Sequence, residues 1–372
     1  MHSLFHLSRA VAFRKAAGPV GVTPFLMVVA FLTAGLEASA QTTFRMFGHL
    51  EAVAEQEADE SYSGFSIGEH DFFVTSQLTD RISFLSETVV NPKGGEGGFT
   101  TSIERVRLAF NYVGNHSIIV GKMHTPVNYW NDRFHHGRYL FPTIDRPQSF
   151  SHLIPIHTLG LRLQGQNLGD LRFGYDVVVG NGLNSNDRGD SEWQKSVTTA
   201  CHIKPWEGSR IGASYYRDVI FDNTVSSHGG YGGAHSHGVY DGDVNVNLIS
   251  VSAGYENTTW EMLYEYSISM QSYPDAAGAA ESSSYATYLY VGRRLKNQSD
   301  VVYGLVDWLE IPEEDLHLMP QQVAKFGLGW RHEFAGQIHT KTQVERYTGF
   351  RDDLAMPPAD KWELKLQLAY VF

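Results

Sequence analysis

Four arginines stand at alternate positions inside apolar runs. Arg105 and Arg107 are interleaved with Val106, Leu108 and Phe110; Arg162 lies between Leu161 and Leu163; Arg172 lies between Leu171 and Phe173, with Tyr175 next in phase. Glu261, Glu265 and Glu363 keep the same parity in later runs, beside Lys325, Arg331 and Lys365. In an extended chain residues i and i+2 share a face, so the apolar side chains look one way and the charges the other. An arginine wall facing a mixed wall makes a field across a water-filled space that orients and filters polar solutes. The plainer use of the same residues is salt bridging between neighbouring strands, which fixes the wall.

A second constellation lies in residues 125–155: Tyr129, Trp130, Asn131, Asp132, Arg133, His135, His136 and Arg138, then Asp145 and Arg146. No strand or helix period covers it, and long structureless connections in compact proteins are mostly functional. Pro142, Pro147 and Pro155 restrict its conformations and argue for a held shape. It reads as a constriction loop folded inward, against the alternative of a surface loop over a mouth or at a subunit contact. His228, His235 and His237, in a glycine-rich run, are weak candidates for Zn, Cu or Ni. Their irregular spacing, without a neighbouring Cys, makes a solvated surface loop the plainer reading, and no metal or cofactor is assigned. Glu55, Glu57, Asp59 and Glu60 form an acidic run suited to divalent cations that bridge lipopolysaccharide, or simply a solvated loop tip. No nucleophile elbow, zinc-protease, P-loop or dinucleotide fingerprint stands in a fitting context, so no enzyme is expected.

These residues need strands to position them. After Gln41 no segment keeps a helical period, while alternation of period two recurs almost without interruption. The C-terminal segment is the cleanest case, with Trp362, Leu364, Leu366, Leu368, Tyr370 and Phe372 on one face and Lys361, Glu363, Lys365, Gln367 and Ala369 on the other. Strands are predicted over 43–55, 66–78, 81–90, 100–113, 117–124, 156–165, 170–180, 193–203, 209–219, 243–255, 258–270, 283–294, 300–309, 322–334, 337–347 and 361–372. Segment 243–255 slips phase between Leu248 and Ile249, which reads as a bulge or a misplaced boundary.

The connections alternate strictly. Short turns such as Thr79-Asp80, Glu256-Asn257 and Ala335-Gly336 follow the even strands; the odd strands are followed by longer loops at 56–65, 91–99, 125–155, 181–192, 220–242, 271–282, 310–321 and 348–360. That rhythm, with both termini on the short-turn side, predicts an all-β, closed antiparallel transmembrane β-barrel of about sixteen strands, with short periplasmic turns and long extracellular loops. Closure is a physical requirement, because an open edge in hydrocarbon leaves backbone N–H and C=O groups unsatisfied.

Composition agrees. Of 372 residues, 42% are hydrophobic and 19% charged, and the formal net charge of -12 opposes a nucleic-acid binder. Mean hydropathy of -0.25 excludes a polytopic helical membrane protein but not a barrel with a polar lumen. Residues 1–40 read as a signal peptide: Arg9, Arg14 and Lys15, then an apolar run from Pro24 to Leu32, then Ala38-Ser39-Ala40 before Gln41. The barrel domain is then 41–372.

Several motifs resemble bacterial outer-membrane porins related to the phosphate-selective porin O and P family. The match rests on Gly121-Lys122, the loop from Pro126 to Arg133, the strand Leu159-Gly160-Leu161-Arg162, the hairpin from His70 to Phe84 and the final Tyr370-Val371-Phe372, and it is best over residues 44–180. The resemblance implies an outer-membrane porin, a water-filled channel for passive diffusion of small hydrophilic solutes or ions. It also implies a homotrimer among lipid and lipopolysaccharide. The chain departs from the lysine-rich phosphate channels of that family in being acidic and poor in lysine. The contrasting expectation is an occluded barrel with an adhesive, structural or lipid-directed enzymatic role.

Overall fold

Period-two alternation becomes sixteen strands: β1 (Gln41–Glu57), β2 (Glu60–Gln77), β3 (Ile82–Pro92), β4 (Phe99–Val113), β5 (His116–His124), β6 (His157–Leu168), β7 (Phe173–Gly180), β8 (Ser196–Ile203), β9 (Ser209–Ile220), β10 (Val244–Glu256), β11 (Trp260–Tyr273), β12 (Ala280–Arg294), β13 (Asp300–Ile311), β14 (Gln321–Phe334), β15 (Ile338–Arg351) and β16 (Lys361–Val371). They come from a computed structural model, which describes residues 41–372 apart from 58–59, 94–96, 135–136, 191–192, 224–239, 277–279, 335 and 352–359. The leader 1–40 lies outside the described residues, and so do His135, His136, His228, His235 and His237.

Each strand pairs antiparallel with its neighbours in sequence, and β1 pairs with β16 to close the barrel. The closing seam is sealed at the chain end, where Met46 N donates to Phe372 O at 3.1 Å and Phe372 N donates to Met46 O at 2.9 Å. No edge is left between first and last strands, as hydrocarbon demands.

One face of the wall is apolar and exposed, for example Val302, Val306, Phe326, Leu328, Leu364 and Leu366. The opposite face is polar and largely buried beneath loops, including Glu265, Asp307, Lys325, Lys341 and Glu345. Exposed aromatics stand at both ends of the strands, Tyr112, Trp206, Trp330, Phe334 and Phe372 at the short-turn end and Phe65, Phe99 and Trp362 at the other. This is the band-and-girdle pattern of a lipid-facing barrel surface.

Three sequence expectations need correcting. The connection drawn at 56–65 is largely strand: β1 runs to Glu57 and β2 begins at Glu60, paired out to Glu57↔Glu60. Polar, serine-rich composition concealed a stretch of β2 that pairs with β1 but extends beyond β3, whose pairing ends at His70↔Val90. The phase slip in β10 is neither bulge nor boundary, since its register with β9 and β11 runs unbroken. Val244, Val246 and Leu248 point inward because loops fill the barrel there, and Ile249, Val251 and Tyr255 point outward to lipid. Finally, β7 begins at Phe173, which leaves Arg172 exposed in the preceding turn with φ 48°.

Candidate functional site

The longest described connection, between His124 of β5 and His157 of β6, folds into the barrel. It contains two single-turn helices, α1 (Tyr129–Arg133) and α2 (Gln148–His152), with a 3-10 turn at Arg138–Leu140 between them. Asn128 starts α1 by accepting Trp130 N on Oδ1 at 2.8 Å, the usual way to satisfy an orphan helical N–H. Asn131 Nδ2 ties α1 to the loop base through Thr125 O at 2.9 Å and Ile156 O at 3.2 Å.

The loop's apolar side chains supply the reason it turns inward. Trp130, Phe141, Phe150 and Ile156 bury against Leu263, Tyr288, Tyr290, Tyr303 and Leu305 of the inner wall. Trp130 is edge-on to Tyr288 with ring centroids 5.4 Å apart. Nearer the long-loop mouth, Val127, Leu153 and Ile154 join inward residues of β9, β10 and β13, with Leu183 and Leu318 from two further loops. Asp218 accepts Leu183 N at 2.7 Å, and Asp315 accepts Tyr273 Oη at 2.9 Å and Ser284 Oγ at 2.8 Å, so those loops are tied to the wall as well. Burial of this many aromatic and aliphatic side chains is the main force holding the loop in the lumen.

Polar contacts set its register around the wall. Trp130 N donates to Glu265 Oε1 at 2.8 Å on β11, and Gln148 N donates to Asp307 Oδ2 at 2.9 Å on β13. Arg331 of β14 reaches Glu261 at 2.8 Å and Pro142 O at 3.3 Å. Lys341 Nζ of β15 sits on Thr143 O at 3.0 Å and Gln367 Oε1 at 3.1 Å. Gly137 N donates to Asp71 Oδ2 at 2.8 Å, while Arg146 and Arg138 lie 3.0 and 3.5 Å from Glu69, both on β2. Lys365 of β16 meets Asp145 at 2.7 Å and Glu345 at 3.3 Å, and Lys325 bridges Glu345 at 3.3 Å and Asp307 at 3.6 Å. Burial on its own would raise the Asp145 carboxyl, yet Lys365 and Lys325 hold it well below the ordinary carboxylate range.

Of the residues singled out in the sequence, Glu265 and Arg331 therefore bond the loop directly, and Glu261 and Lys325 pair with the wall residues that do, Arg331 and Asp307. The arginines stand elsewhere. Arg105, on β4, is ion-paired with Glu87 of β3, and Arg162, on β6, meets Asp176 of β7 at 2.7 Å and Asp132 of the loop at 3.6 Å. The wall is accordingly not of one sign: Glu87 and Asp176, which parity reasoning passed over, face the arginines across strand pairs. Arg107 is inward beside them, whereas Arg172 is not on the wall at all. Arg133, half exposed, lies 3.4 Å from Glu256 at the end of β10 and over the rings of Phe134 and Tyr129.

Register explains what the arginines surround. Arg45↔Phe73, Phe73↔Glu87 and Glu87↔Arg105 make one row across β1 to β4. Above that row the loop leaves a cavity of about 350 Å³, to which Arg45, Arg105, Arg133, Asp132 and His124 contribute. Arg45 was missed in the sequence because β1 starts with a weakly patterned stretch; its signal is the alternation of Thr43, Arg45 and Phe47 against Phe44 and Met46.

The Gly121-Lys122 pair has a structural role. Gly121 has φ 129°, and a Cβ there would lie 2.1 Å from Val106 O. Lys122 Nζ donates to Ile103 O at 2.8 Å and pairs with Asp187 at 2.8 Å, joining the loop after β7 to β4.

No family model matches the chain, and no curated protein matches it in sequence. Solved structures do match in shape. An anion-selective porin from Comamonas acidovorans aligns with a TM-score of 0.64 at 9% identity, over 90% of this chain and 100% of that one. The outer-membrane channel DcaP of Acinetobacter baumannii aligns at 0.60 and 12%, over 90% and 98%. OmpT of Vibrio cholerae, an outer-membrane protein solved in a trimer form, aligns at 0.59 and 11%, over 90% and 100%. The fold of this chain is the sixteen-stranded barrel of bacterial outer-membrane porins.

Proposed function

We propose that the protein is an outer-membrane porin, a water-filled channel through which small hydrophilic solutes diffuse down their gradient, with anions preferred. The observation that carries this reading is the asymmetric seating of the inward loop. Most of its apolar and ionic contacts are made with β9 to β16 and the upper part of β2, whereas a cavity remains at the row from β1 to β4, lined by Arg45, Arg105 and Arg133 beside Asp132, with Glu87 paired to Arg105 and Arg45 in no ion pair among the described residues. Sixteen strands enclose enough cross-section for an aqueous passage beside a folded-in loop. Fixed guanidinium charges along such a passage favour anions without trapping them. The resemblance of residues 44–180 to the phosphate-selective porin O and P family supports the same class, as do the barrel neighbours, one of which is described as anion-selective.

Export by a leader cleaved near Ala40, insertion among lipid and lipopolysaccharide, and assembly as a homotrimer complete the proposal. Liposome swelling tests it: vesicles carrying the refolded mature protein should swell in small neutral and anionic solutes of similar size, faster in the anionic ones. Vesicles that do not swell in any of them would favour an occluded barrel.

A further inference from the structure

The cavity beside the inward loop is not uniformly polar. Its cationic side is formed by Arg45, Arg105 and Arg133. Beside them on the same wall stand Phe47 and Phe73, and the loop adds Leu140. Phe47 and Phe73 meet edge to face with centroids 5.1 Å apart, and Arg105 lies over the Phe73 ring at 5.3 Å. Leu140, carried by the 3-10 turn of the loop, keeps 48% of its surface exposed. Together with the Phe73 ring it offers an apolar surface next to the guanidinium groups.

The charges are unevenly satisfied. Arg105 is paired with Glu87, Arg133 holds Glu256 at 3.4 Å, and Asp132 leans to Arg162 at 3.6 Å. Arg45 is exposed and makes no ion pair among the described residues. Thr43 and Thr75 place hydroxyls on the same stretch of wall. An exposed guanidinium flanked by hydroxyls and set beside aromatic and aliphatic side chains matches a ligand with one anionic end and a flat apolar body.

We infer that this chamber is a binding station for aryl carboxylates: the carboxylate on Arg45, the ring against Phe73 and Leu140. The inference rests on the porin reading and deepens it by naming a solute class. Inorganic phosphate would leave the apolar face uncovered, and a short aliphatic acid such as acetate would reach Arg45 alone. The volume of about 350 Å³ accommodates a single-ring acid with its water.

The test is calorimetric titration of the refolded mature barrel in detergent with benzoate, acetate and inorganic phosphate, alongside KCl conductance of the same preparation in planar bilayers. Benzoate should bind about tenfold more tightly than acetate, the ratio expected for one aromatic contact plus ring burial. Phe73→Ala should bring the two acids to within about twofold while acetate binding persists, and Arg45→Gln should weaken both by about tenfold. Heat-modifiable migration on gels confirms that each variant is folded, and either variant alone is sufficient to decide. Equal affinities for benzoate and acetate, tighter binding of phosphate, or affinities untouched by both substitutions would overturn the inference. Conductance without benzoate preference sinks this inference and leaves the porin reading standing; benzoate preference without conductance does the reverse.

Discussion

Asp145 and Lys365 lie 2.7 Å apart although 220 residues separate them, joining the middle of the inward loop to the last strand of the barrel. Lys365 also neutralises Glu345 and Glu363, whose carboxylate oxygens lie with that of Asp145 inside 4.8 Å of one another. Lys365 is the ammonium shared by all three acids, with Lys325 on Glu345 and Lys361 on Glu363 beside it, and together they offset the repulsion that would expel the loop.

Lys365→Met should release the loop. Removing one member of a buried pair typically costs about 3–5 kcal/mol, because the other charge is left uncompensated. Single-channel recordings should show larger and noisier conductance than wild type, and Asp145→Asn added to Lys365→Met should quieten it in part. An unchanged, quiet trace from Lys365→Met would mean that the apolar contacts alone hold the loop.

Mild acid should leave the Asp145 anchor intact. Its carboxyl is depressed in the fold, so its contribution is fully present above the unfolded value of 3.8 and disappears only as pH falls below that, through the folded value. His317, in the loop after β13, behaves differently: burial lowers it from 6.5 to about 4, and its ring bonds Asn223. The folded state takes up that proton later than the unfolded state, so stability is complete above pH 6.5 and declines as pH falls towards about 4. Melting temperature followed by circular dichroism should drop over that window in wild type and drop less in His317→Gln. Equal slopes would place the acid sensitivity elsewhere.

Gly121→Ala should impair assembly. The added methyl would meet Val106 O at 2.1 Å, and φ 129° is a backbone conformation that alanine resists. A smaller refolded fraction, read as loss of the heat-modifiable band, is the expected outcome; wild-type yield would show that β4 and β5 can separate without penalty.

Trp130→Ala should loosen α1. Truncating a buried aromatic costs about 3–5 kcal/mol, and here it also removes packing on Phe141 and Tyr288. Protease sensitivity of residues 125–156 should rise while the barrel core stays resistant. Unaltered protection of that segment would shift the holding role to the ionic contacts.

Strand number, order and, the β1–β2 connection excepted, the alternation of short turns with longer loops were legible because lipid outside and water inside impose a period of two on the wall segments. The rule failed where its cause failed. Val244, Val246 and Leu248 face packed loops instead of water, so their inward face is apolar and the phase looks broken. In the β1–β2 hairpin, β2 reaches beyond β3, whose pairing ends at His70↔Val90, and stays on β1 out to Glu57↔Glu60, a serine-rich stretch without the alternation that marks the other wall segments. Arg172 fell one position outside a strand whose start parity could not place. Glu261, Glu265, Lys325 and Arg331 were recognisable as inward, but their partners lie up to 189 residues away in sequence, as Arg331 and Pro142 do, and spacing alone does not reveal such pairs. The acids Glu87 and Asp176 belong to the same class of cross-strand partner, visible only once register is known.

The most direct test of the central claim is single-channel conductance and reversal potential of the refolded mature protein under a KCl gradient in a planar bilayer. A steady conductance whose reversal potential reports chloride preference, weakened in Arg45→Gln, is the predicted result. A bilayer that stays silent with folded protein inserted would contradict the channel, and a clear potassium preference would contradict the role given to the arginines.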